Sequence, residues 1–148
     1  MPSTPTTTAL QAWRRFAGAY WGISVRLEAD LATAGLPVLG WYDVLHELAQ
    51  APDQHLRMCE LAERTQLSRS GLTRLADRLE KEKLIERLSC PKDRRVLHAQ
   101  LTTRGAQLVE KMQPVHAAGV AKHFAARLSA PELKQLSSLT DKLLNSKE

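Results

Sequence analysis

Two short helical patterns stand only three residues apart in this chain, and that spacing narrows the possible folds more than any other feature. Cys59 to Thr65 predicts a short helix with Leu61 and Ala62 facing inward. Ser68 can cap a second helix, which runs from Arg69 to about Lys83. The apolar stripe of this second helix is formed by Leu72, Leu75, Ala76 and Leu79. The segment is therefore predicted to form a helix-turn-helix.

Two short strands follow the second helix and predict a β-hairpin. They span Ile85 to Ser89 and Val96 to Leu101, and the tip between them is Cys90 to Arg95. A minor strand at Leu56 to Met58, just before the first helix of the pair, could complete a three-stranded wing. A helix-turn-helix followed by such a hairpin is the winged-helix arrangement. In it the second helix enters the major groove of DNA and the hairpin reaches the neighbouring minor groove.

The net positive charge of the chain is concentrated in the same elements. Residues 57–104 hold twelve Lys and Arg against seven Asp and Glu, and this surplus equals the net charge of +5 of the whole chain. A localised positive surface favours nucleic acid as a partner, because neutralising phosphates releases condensed counterions. A solvated charged helix without a partner is the alternative, and the lack of carboxylates between Arg69 and Arg74 argues against it.

The candidate DNA contacts divide between the second helix of the pair and the hairpin tip. The helix provides hydrogen-bond donors on its exposed faces, and a phosphate is expected beside its N-terminus at Ser68. The tip provides cations and one carboxylate. The predicted DNA-binding residues are Ser68, Arg69, Ser70, Thr73, Arg74, Arg78, Lys92, Asp93, Arg94 and Arg95.

Longer helical patterns flank the winged-helix segment on both sides. Thr8 with Gln11 and Ser129 with Glu132 have capping-box spacing, and Thr102 can cap the helix that follows the hairpin. The flanking helices are predicted at residues 8–35, 38–49, 102–128 and from 129 onward.

These patterns predict a mainly α fold with a small β wing, that is, a winged helix-turn-helix plus a helical dimerisation region. Residues 1–7, rich in Thr and Pro, are expected to be a disordered tail. Residues 8–35 and 103–146 form the predicted dimerisation region, and residues 36–102 the DNA-binding domain. The first and last helices carry apolar stripes that have no partner inside a small monomer, so we expect a homodimer.

The sequence contains no signal for a membrane, a disulfide framework or catalysis. No apolar run approaches the roughly 20 residues that span a bilayer, and the N-terminus lacks the regions of a signal peptide, so we expect a cytoplasmic protein. Cys59 and Cys90 are predicted to be free thiols, and neither they nor the histidines have metal-ligand spacing. No glycine-rich phosphate loop or nucleophile motif is present, so no enzyme, metal or cofactor is expected.

Three motifs, in this order and spacing, resemble those of the MarR (multiple antibiotic resistance regulator) family of bacterial transcription factors. They are ELAERTQLSRSGLTRLADRLEKEKLIER from Glu60, DRR at Asp93 and LTTRG at Leu101. The resemblance covers nearly the whole chain and implies a homodimeric winged-helix regulator, expected to be a repressor, on a pseudo-palindromic operator. One departure is Lys83, since the family often has Gly near the end of this helix.

The resemblance also implies roles for two residues of the wing. Arg95 would enter the minor groove, and Asp93 would hold its guanidinium in place. The physical basis is that a narrow minor groove concentrates negative potential, so an inserted Arg responds to groove width more than to base identity. A wing-stabilising ion pair is the other interpretation of the same two residues.

Aromatic residues gather in the first two helical patterns, and only Phe124 lies elsewhere. In the MarR family, small aromatic or phenolic compounds, often carboxylates, bind where the dimerisation helices meet the DNA-binding lobe. By this resemblance the candidate ligand-binding residues are Trp13, Arg14, Arg15, Phe16, Tyr20, Trp41, Tyr42 and His46. Arg14 or Arg15 could hold a carboxylate in bidentate fashion. Helix packing and a dimer interface explain the aromatic cluster equally well.

Three other functions stay open on the sequence. A winged-helix module could bind an acidic protein instead of DNA. A redox-sensing regulator could use Cys90, since its basic neighbours Lys92 and Arg94 favour a thiolate, whereas Cys59 is interpreted as packing. A carrier or enzyme for an aromatic ligand is the third. Preference for one promoter fragment over scrambled duplex would distinguish a DNA regulator from the first of these.

Overall fold

The structure, a computed structural model, describes residues 4–145 and consists of helices packed around a small antiparallel sheet. The helices are α1 (Thr7–Thr33), α2 (Leu39–Gln50), α3 (Met58–Thr65), α4 (Arg69–Lys81), α5 (Thr103–His123) and α6 (Ala130–Leu144). The strands are β1 (His55–Arg57), β2 (Ile85–Ser89) and β3 (Leu97–Leu101). Short 3-10 turns lie at Pro52–Gln54 and Ala125–Arg127. The predicted mainly α fold with a small β wing is confirmed.

The chain divides into two compact units. The wing unit is Leu31–Val115, which contains the predicted winged-helix segment, residues 36–102. The helical unit consists of Met1–Asp30 together with His116–Glu148, of which the structure describes residues 4–30 and 116–145. Helices α1 and α5 contribute residues to both units.

The core of the wing unit is built from the inner stripes of α2, α3 and α4 and one face of the sheet. Its buried side chains include Val44, Leu45, Leu48, Leu61, Leu72, Ala76, Leu79, Ile85, Ala99 and Leu101. The predicted stripe of α4 is confirmed, although Leu75 is only partly buried. Full burial of one leucine side chain contributes roughly 1.5–3 kcal/mol. The inner side of α4 is therefore fixed by packing, and its outer side is left to solvent.

The sheet has the order β1-β3-β2, with both pairs antiparallel. The minor strand predicted at 56–58 is confirmed but lies one position earlier, because Met58 already begins α3. Strand β3 begins at Leu97 instead of Val96. The reason is local, since the carbonyl oxygen of Val96 accepts a hydrogen bond from the main-chain N–H of Cys90 at 2.9 Å and closes the hairpin tip.

Helix α4 ends at Lys81, earlier than the predicted end at Lys83. Lys83 has a φ of 59°, in the left-handed region that disfavours every residue with a Cβ atom. The main-chain N–H of Lys83 still donates to Glu80 O at 2.9 Å, and that of Leu84 donates to Leu79 O at 2.9 Å. The helix therefore stops because the chain turns left-handed at Lys83.

Replacing Lys83 by Gly is expected to raise the free energy of unfolding by about 0.5–1 kcal/mol, because the left-handed conformation costs Gly nothing sterically. Urea denaturation followed by circular dichroism measures the change. Lys83→Ala is the matched control, since it removes the same amino group but keeps the Cβ atom, and it should bring no gain. Equal gains for both variants would mean that the charge, not the backbone, is unfavourable.

Of the three caps predicted for the flanking helices, two are confirmed and one is wrong. Thr102 Oγ1 accepts from the main-chain N–H of Gly105 at 3.0 Å and caps α5, and Ser129 with Glu132 forms the predicted capping box. Helix α1 instead begins at Thr7, and its cap is Thr6, whose Oγ1 accepts from Ala9 N–H at 3.2 Å. The proposed Thr8–Gln11 box is therefore incorrect.

Two other predicted boundaries shift. The proposed tail, residues 1–7, begins with residues outside the described part and ends with Thr7, which is helical. Helix α5 ends at His123 instead of Leu128, and the 3-10 turn Ala125–Arg127 follows it. Pro114 lies inside α5 as predicted.

The helical unit is held by a close approach of α1 to α5. His123 Nε2 lies 2.8 Å from Asp30 Oδ2, and the His123 side chain is 11% exposed. Gly119 allows this approach, since a Cβ atom there would lie 2.7 Å from Leu27 Cδ2 and 3.0 Å from Asp30 Oδ2.

Among the helices that the structure describes, none is long and apolar enough to cross a membrane.

Candidate nucleic-acid interface

The N-terminus of α4 is formed as the sequence predicts. Ser68 has extended backbone angles, and its Oγ accepts a hydrogen bond from Gly71 N–H at 3.0 Å. Its hydroxyl also lies 3.3 Å from Ser70 Oγ. The Ser68 side chain satisfies one main-chain N–H group of the first turn and thereby fixes where α4 begins. The other polar groups of this turn face solvent.

The outer side of α4 presents cations and hydroxyl groups to solvent. Arg69, Ser70, Thr73, Arg74 and Arg78 are all exposed. Thr73 Oγ1 donates to Arg69 O at 2.9 Å, and Arg74 Nε makes a long contact of 3.4 Å with Ser70 O. None of the three arginines forms a salt bridge within residues 4–145. Their guanidinium groups are therefore available to an external anion.

The wing tip is ordered by the carboxylate of Asp93. Its Oδ1 accepts from the main-chain N–H of Arg95 at 3.0 Å, and Asp93 O accepts from Val96 N–H at 3.0 Å. In this structure the Asp93 carboxylate contacts the main chain of Arg95, and no salt bridge with the Arg95 guanidinium is present within residues 4–145. Such a turn fixes where the Arg95 side chain leaves the backbone. Lys92, Arg94 and Arg95 are all exposed.

A concavity of about 320 Å³ brings α4, α3 and the base of the wing together. Arg69, Thr73 and Arg95 all line it, so residues predicted from two separate motifs meet at one place. The other lining residues are Met58, Cys59, Leu72, Val96 and Leu97. Two cations and no carboxylate line this surface, as a polyanionic ligand requires.

Cys59 was not predicted at this interface. The sequence interpretation of Cys59 as packing is wrong, since the thiol is exposed and lines the concavity, whereas Cys90 is half-buried. The pattern of α3 gave no reason to place it there, because only the contact of α3 with α4 and the wing decides which side of α3 borders the concavity.

Arg87 ties strand β2 to helix α4. Its Nη2 lies 2.6 Å from Asp77 Oδ1 and 2.7 Å from Glu80 Oε2, and its Nε donates to the same Glu80 oxygen at 3.1 Å. The Arg87 main-chain N–H also donates to Glu80 Oε1 at 3.1 Å. Hydrogen bonds from the side chain and main chain of Arg87 lower the pKa of Glu80, and the side-chain bonds to Glu80 and Asp77 raise that of Arg87. Arg87, Asp77 and Glu80 therefore hold α4, the predicted recognition helix that would enter the major groove, against β2.

The candidate ligand-binding residues divide between the two units. In the helical unit, Trp13, Arg14, Arg15, Phe16 and Tyr20 are all exposed on α1. The rings of Trp13 and Phe16 lie 6.3 Å apart. These side chains are presented to solvent.

In the wing unit, the candidates are mostly packed. Tyr42 is 5% exposed and lies in a small cluster with Leu31 and Met112. Its ring stacks on that of His46 at 5.2 Å, and its hydroxyl lies 3.4 Å from His46 Nδ1. Burial raises the pKa of Tyr42. Trp41 is half-buried and borders a separate groove.

Comparison with known proteins identifies relatives over nearly the whole chain. The family model described as MarR family matches residues 34–96. The transcriptional repressor MprA of Escherichia coli (strain K12) is 41% identical over 78 residues, which cover 53% of this chain and 44% of MprA. The chain thus spans less than half the length of that relative.

Two solved structures extend the similarity to the full fold. AbsC, a MarR family transcriptional regulator from Streptomyces coelicolor, has a TM-score of 0.84 and 32% identity, with 95% of each chain covered. Sco3205, a regulator of the same family and organism whose crystal structure is a complex with DNA, has a TM-score of 0.86 and 29% identity. The alignment covers 97% of this chain and 89% of Sco3205.

Proposed function

The chain belongs to the MarR family, and from this premise we propose that it is a cytoplasmic transcription regulator that represses by binding a pseudo-palindromic DNA operator. The observation that carries the proposal is the concavity in which Arg69, Thr73 and Arg95 meet without any carboxylate. Cations from a helix and a wing on one surface suit adjacent major and minor grooves. The DNA-bound structure of Sco3205 supports the same partner.

Each predicted DNA-binding residue has a role in this proposal. Arg69, Ser70, Thr73 and Arg74, on the first turns of α4, contact base edges in the major groove. Ser68 and Arg78 contact phosphates on either side. Arg95 enters the minor groove, Lys92 and Arg94 contact its phosphates, and Asp93 orders the tip.

The proposed active form is a homodimer joined through the helical units. The helical unit exposes large apolar side chains on α1 and on α6. Exposed apolar surfaces of this kind mark protein interfaces. These side chains are Leu10, Trp13, Phe16, Tyr20, Trp21 and Val25 on α1, and Leu139, Leu143 and Leu144 on α6. Two recognition helices related by a two-fold axis then contact half-sites separated by about one helical turn, on the order of 10 base pairs.

Release from DNA by a small aromatic ligand is the last part of the proposal. A ligand can change DNA affinity only if it binds one spacing of the recognition helices better than another. The candidates Trp13, Arg14, Arg15, Phe16 and Tyr20 are exposed, whereas Tyr42 and His46 bind each other. Trp41, from the predicted set, borders a groove of about 520 Å³.

Selection of bound duplexes from a random pool is expected to enrich a pseudo-palindrome, and Arg95→Ala should bind that duplex about tenfold more weakly. The reason is the loss of one minor-groove contact. Gel-shift titration at fixed salt measures both proteins. Lys122→Ala is the matched control, because it removes the same charge from an exposed position on α5. Unchanged affinity of the Arg95 variant would contradict the wing assignment, and a pool without enrichment would favour a protein partner.

A further inference from the structure

The concavity between α4 and the wing has an apolar side as well as a charged one. Arg69 and Arg95 are the charged side chains in its lining, and the proposed DNA contacts use both. Five other lining residues have no charge and no oxygen or nitrogen atom in their side chains. They are Met58, Cys59, Leu72, Val96 and Leu97. None of these five belongs to the predicted DNA-binding set, although they share one surface with three of its members.

Leu97 forms the outermost part of this apolar surface. On β3 it points to the same face of the sheet as Ala99 and Leu101, because side chains alternate along a strand. Ala99 and Leu101 are buried in the core, whereas Leu97 is 43% exposed. The inward stripe of β3 therefore extends beyond the core and ends in the concavity. A large aliphatic side chain is held there by the sheet and is available to an apolar group of a ligand.

The α4 side of the concavity is equally fixed. Leu72 is buried and anchors α4 in the core, and Arg69 and Thr73 lie one helical turn apart beside it. Thr73 Oγ1 already donates its proton to Arg69 O at 2.9 Å. Neither Arg69 nor Arg95 forms a salt bridge within residues 4–145. The surface thus combines a rigid apolar floor with two cations, which suits a ligand that alternates anionic and apolar groups.

In the proposed complex the concavity faces the sugar–phosphate backbone of one DNA strand. Helix α4 enters the major groove and the wing tip enters the neighbouring minor groove. The backbone that separates these two grooves therefore passes between α4 and the wing, where the concavity lies. This backbone alternates phosphates with deoxyribose rings, whose C2′ atom carries only hydrogen. Its alternation of charge and apolar surface matches the lining.

We propose that the concavity seats one deoxyribose–phosphate unit and that Leu97 is a specificity-determining residue for deoxyribose, an inference that rests on the proposed DNA binding. The stems of Arg69 and Arg95 pass on either side of this unit, so their charges flank its phosphate while their ends reach the two grooves. The C2′ side of the sugar lies on Met58, Val96 and Leu97, whose side chains have no oxygen or nitrogen acceptor. A ribose hydroxyl in this place would be buried without a partner, which costs free energy.

The test is a ribonucleotide scan of the selected operator. Each deoxynucleotide of both strands is replaced, one at a time, by its ribonucleotide, and fluorescence anisotropy at fixed salt gives the dissociation constant of the full-length protein. We expect one position in each half-site at which the ribonucleotide weakens binding about tenfold, the cost of one buried hydroxyl without a partner. A 2′-fluoro nucleotide there favours the same sugar pucker but has no hydroxyl group, and it should weaken binding much less.

The variant Leu97→Ser tests the residue itself. Serine can exchange a hydrogen bond with the ribose hydroxyl, so the ratio of the dissociation constants for the ribo- and deoxy-operators should fall from about tenfold to below about threefold. The ratio cancels any loss of stability, because the same protein binds both operators. Leu88→Ser is the matched control, since it removes an exposed leucine from the opposite face of the wing sheet and should keep the tenfold ratio.

The outcomes separate this inference from the proposed function. A scan without a sensitive position, or a ratio near tenfold for Leu97→Ser, overturns the deoxyribose contact and leaves the proposed DNA binding standing. A 2′-fluoro effect as large as the ribonucleotide effect also overturns it, because the sugar pucker would then be responsible. A random pool that enriches no duplex would contradict the proposed function and this inference together.

Cys59 provides a second measurement that needs no substitution in the concavity. Its thiol is exposed, whereas Cys90 is half-buried and is replaced by Ser for this measurement. At an operator concentration of about ten times the dissociation constant, alkylation of Cys59 by a maleimide should slow about tenfold, because only the free protein reacts. Scrambled duplex at the same concentration should protect far less. Equal alkylation rates with and without saturating operator would overturn the placement of the backbone in the concavity.

Discussion

Gly105→Ala is expected to lower the free energy of unfolding by about 3 kcal/mol, the upper end of the cost of overpacking a core. A Cβ atom at this position would lie 2.7 Å from Leu101 Cδ1 and closer still to the carbonyl oxygen of Leu84. That carbonyl cannot move freely, because it accepts a hydrogen bond from Thr102 N–H at 3.1 Å. Urea denaturation of the purified variant measures the loss.

Gly40→Ala is the matched control in the same unit. Gly40 lies in α2, and a Cβ atom there would meet nothing within 4 Å. This variant should be neutral or more stable by up to about 1 kcal/mol, since Ala favours the helix. If Gly105→Ala were tolerated equally well, the close approach of α5 to Leu84 would not be what the glycine provides.

The glycine also explains why LTTRG forms a recognisable motif. Thr102 caps α5 by accepting from Gly105 N–H at 3.0 Å, and it donates its hydroxyl to Lys83 O at 2.8 Å. Leu101 is a buried end of β3. In this motif Leu101 ends β3, Thr102 caps α5 and Gly105 allows the close approach to the main chain at Leu84. Together they fix the start of α5 against the end of α4.

Local patterns were sufficient for most of the fold. The stripe of α4, its Ser68 cap and the bounds of β2 follow from periodicity and capping chemistry alone. The start of α1 does not, because three adjacent threonines can each cap a helix and the sequence cannot distinguish them. The end of α4 was missed because a lysine was not expected to adopt the left-handed conformation that Lys83 has.

The candidate site was predictable in its parts but not in their arrangement. Exposure of Arg69 and Arg95 follows from their positions, whereas their meeting in one concavity with Cys59 depends on how the wing folds back. Tyr42 was predicted as a ligand-binding residue, whereas its side chain is buried and packs in the core of the wing unit. The ion pairs of Arg87 were also missed, because the net charge of a segment does not show which cations already have partners.

Arg87→Ala is expected to lower the free energy of unfolding at neutral pH by about 2 kcal/mol, because it removes charge-assisted hydrogen bonds that solvent only partly screens. The Arg87 side chain is 22% exposed, against 56% for Asp77 and 40% for Glu80. The substitution also leaves two carboxylates on neighbouring turns of α4 without their shared cation. We expect weaker operator binding as well, since α4 and the wing lose their link.

The pH dependence distinguishes this ion-pair cluster from simple packing. Because Arg87 lowers the pKa of Glu80 in the folded chain, its stabilising effect is present above the ordinary pKa of Glu, near 4.3, and is lost as the pH falls through the lowered value. The difference in unfolding free energy between the wild type and Arg87→Ala should therefore shrink in acid. Arg94→Ala, at the exposed wing tip, should change stability by less than about 0.5 kcal/mol at either pH. A difference for Arg87→Ala that stays constant from neutral to acidic pH would mean that its aliphatic stem, not its charge, holds β2 against α4.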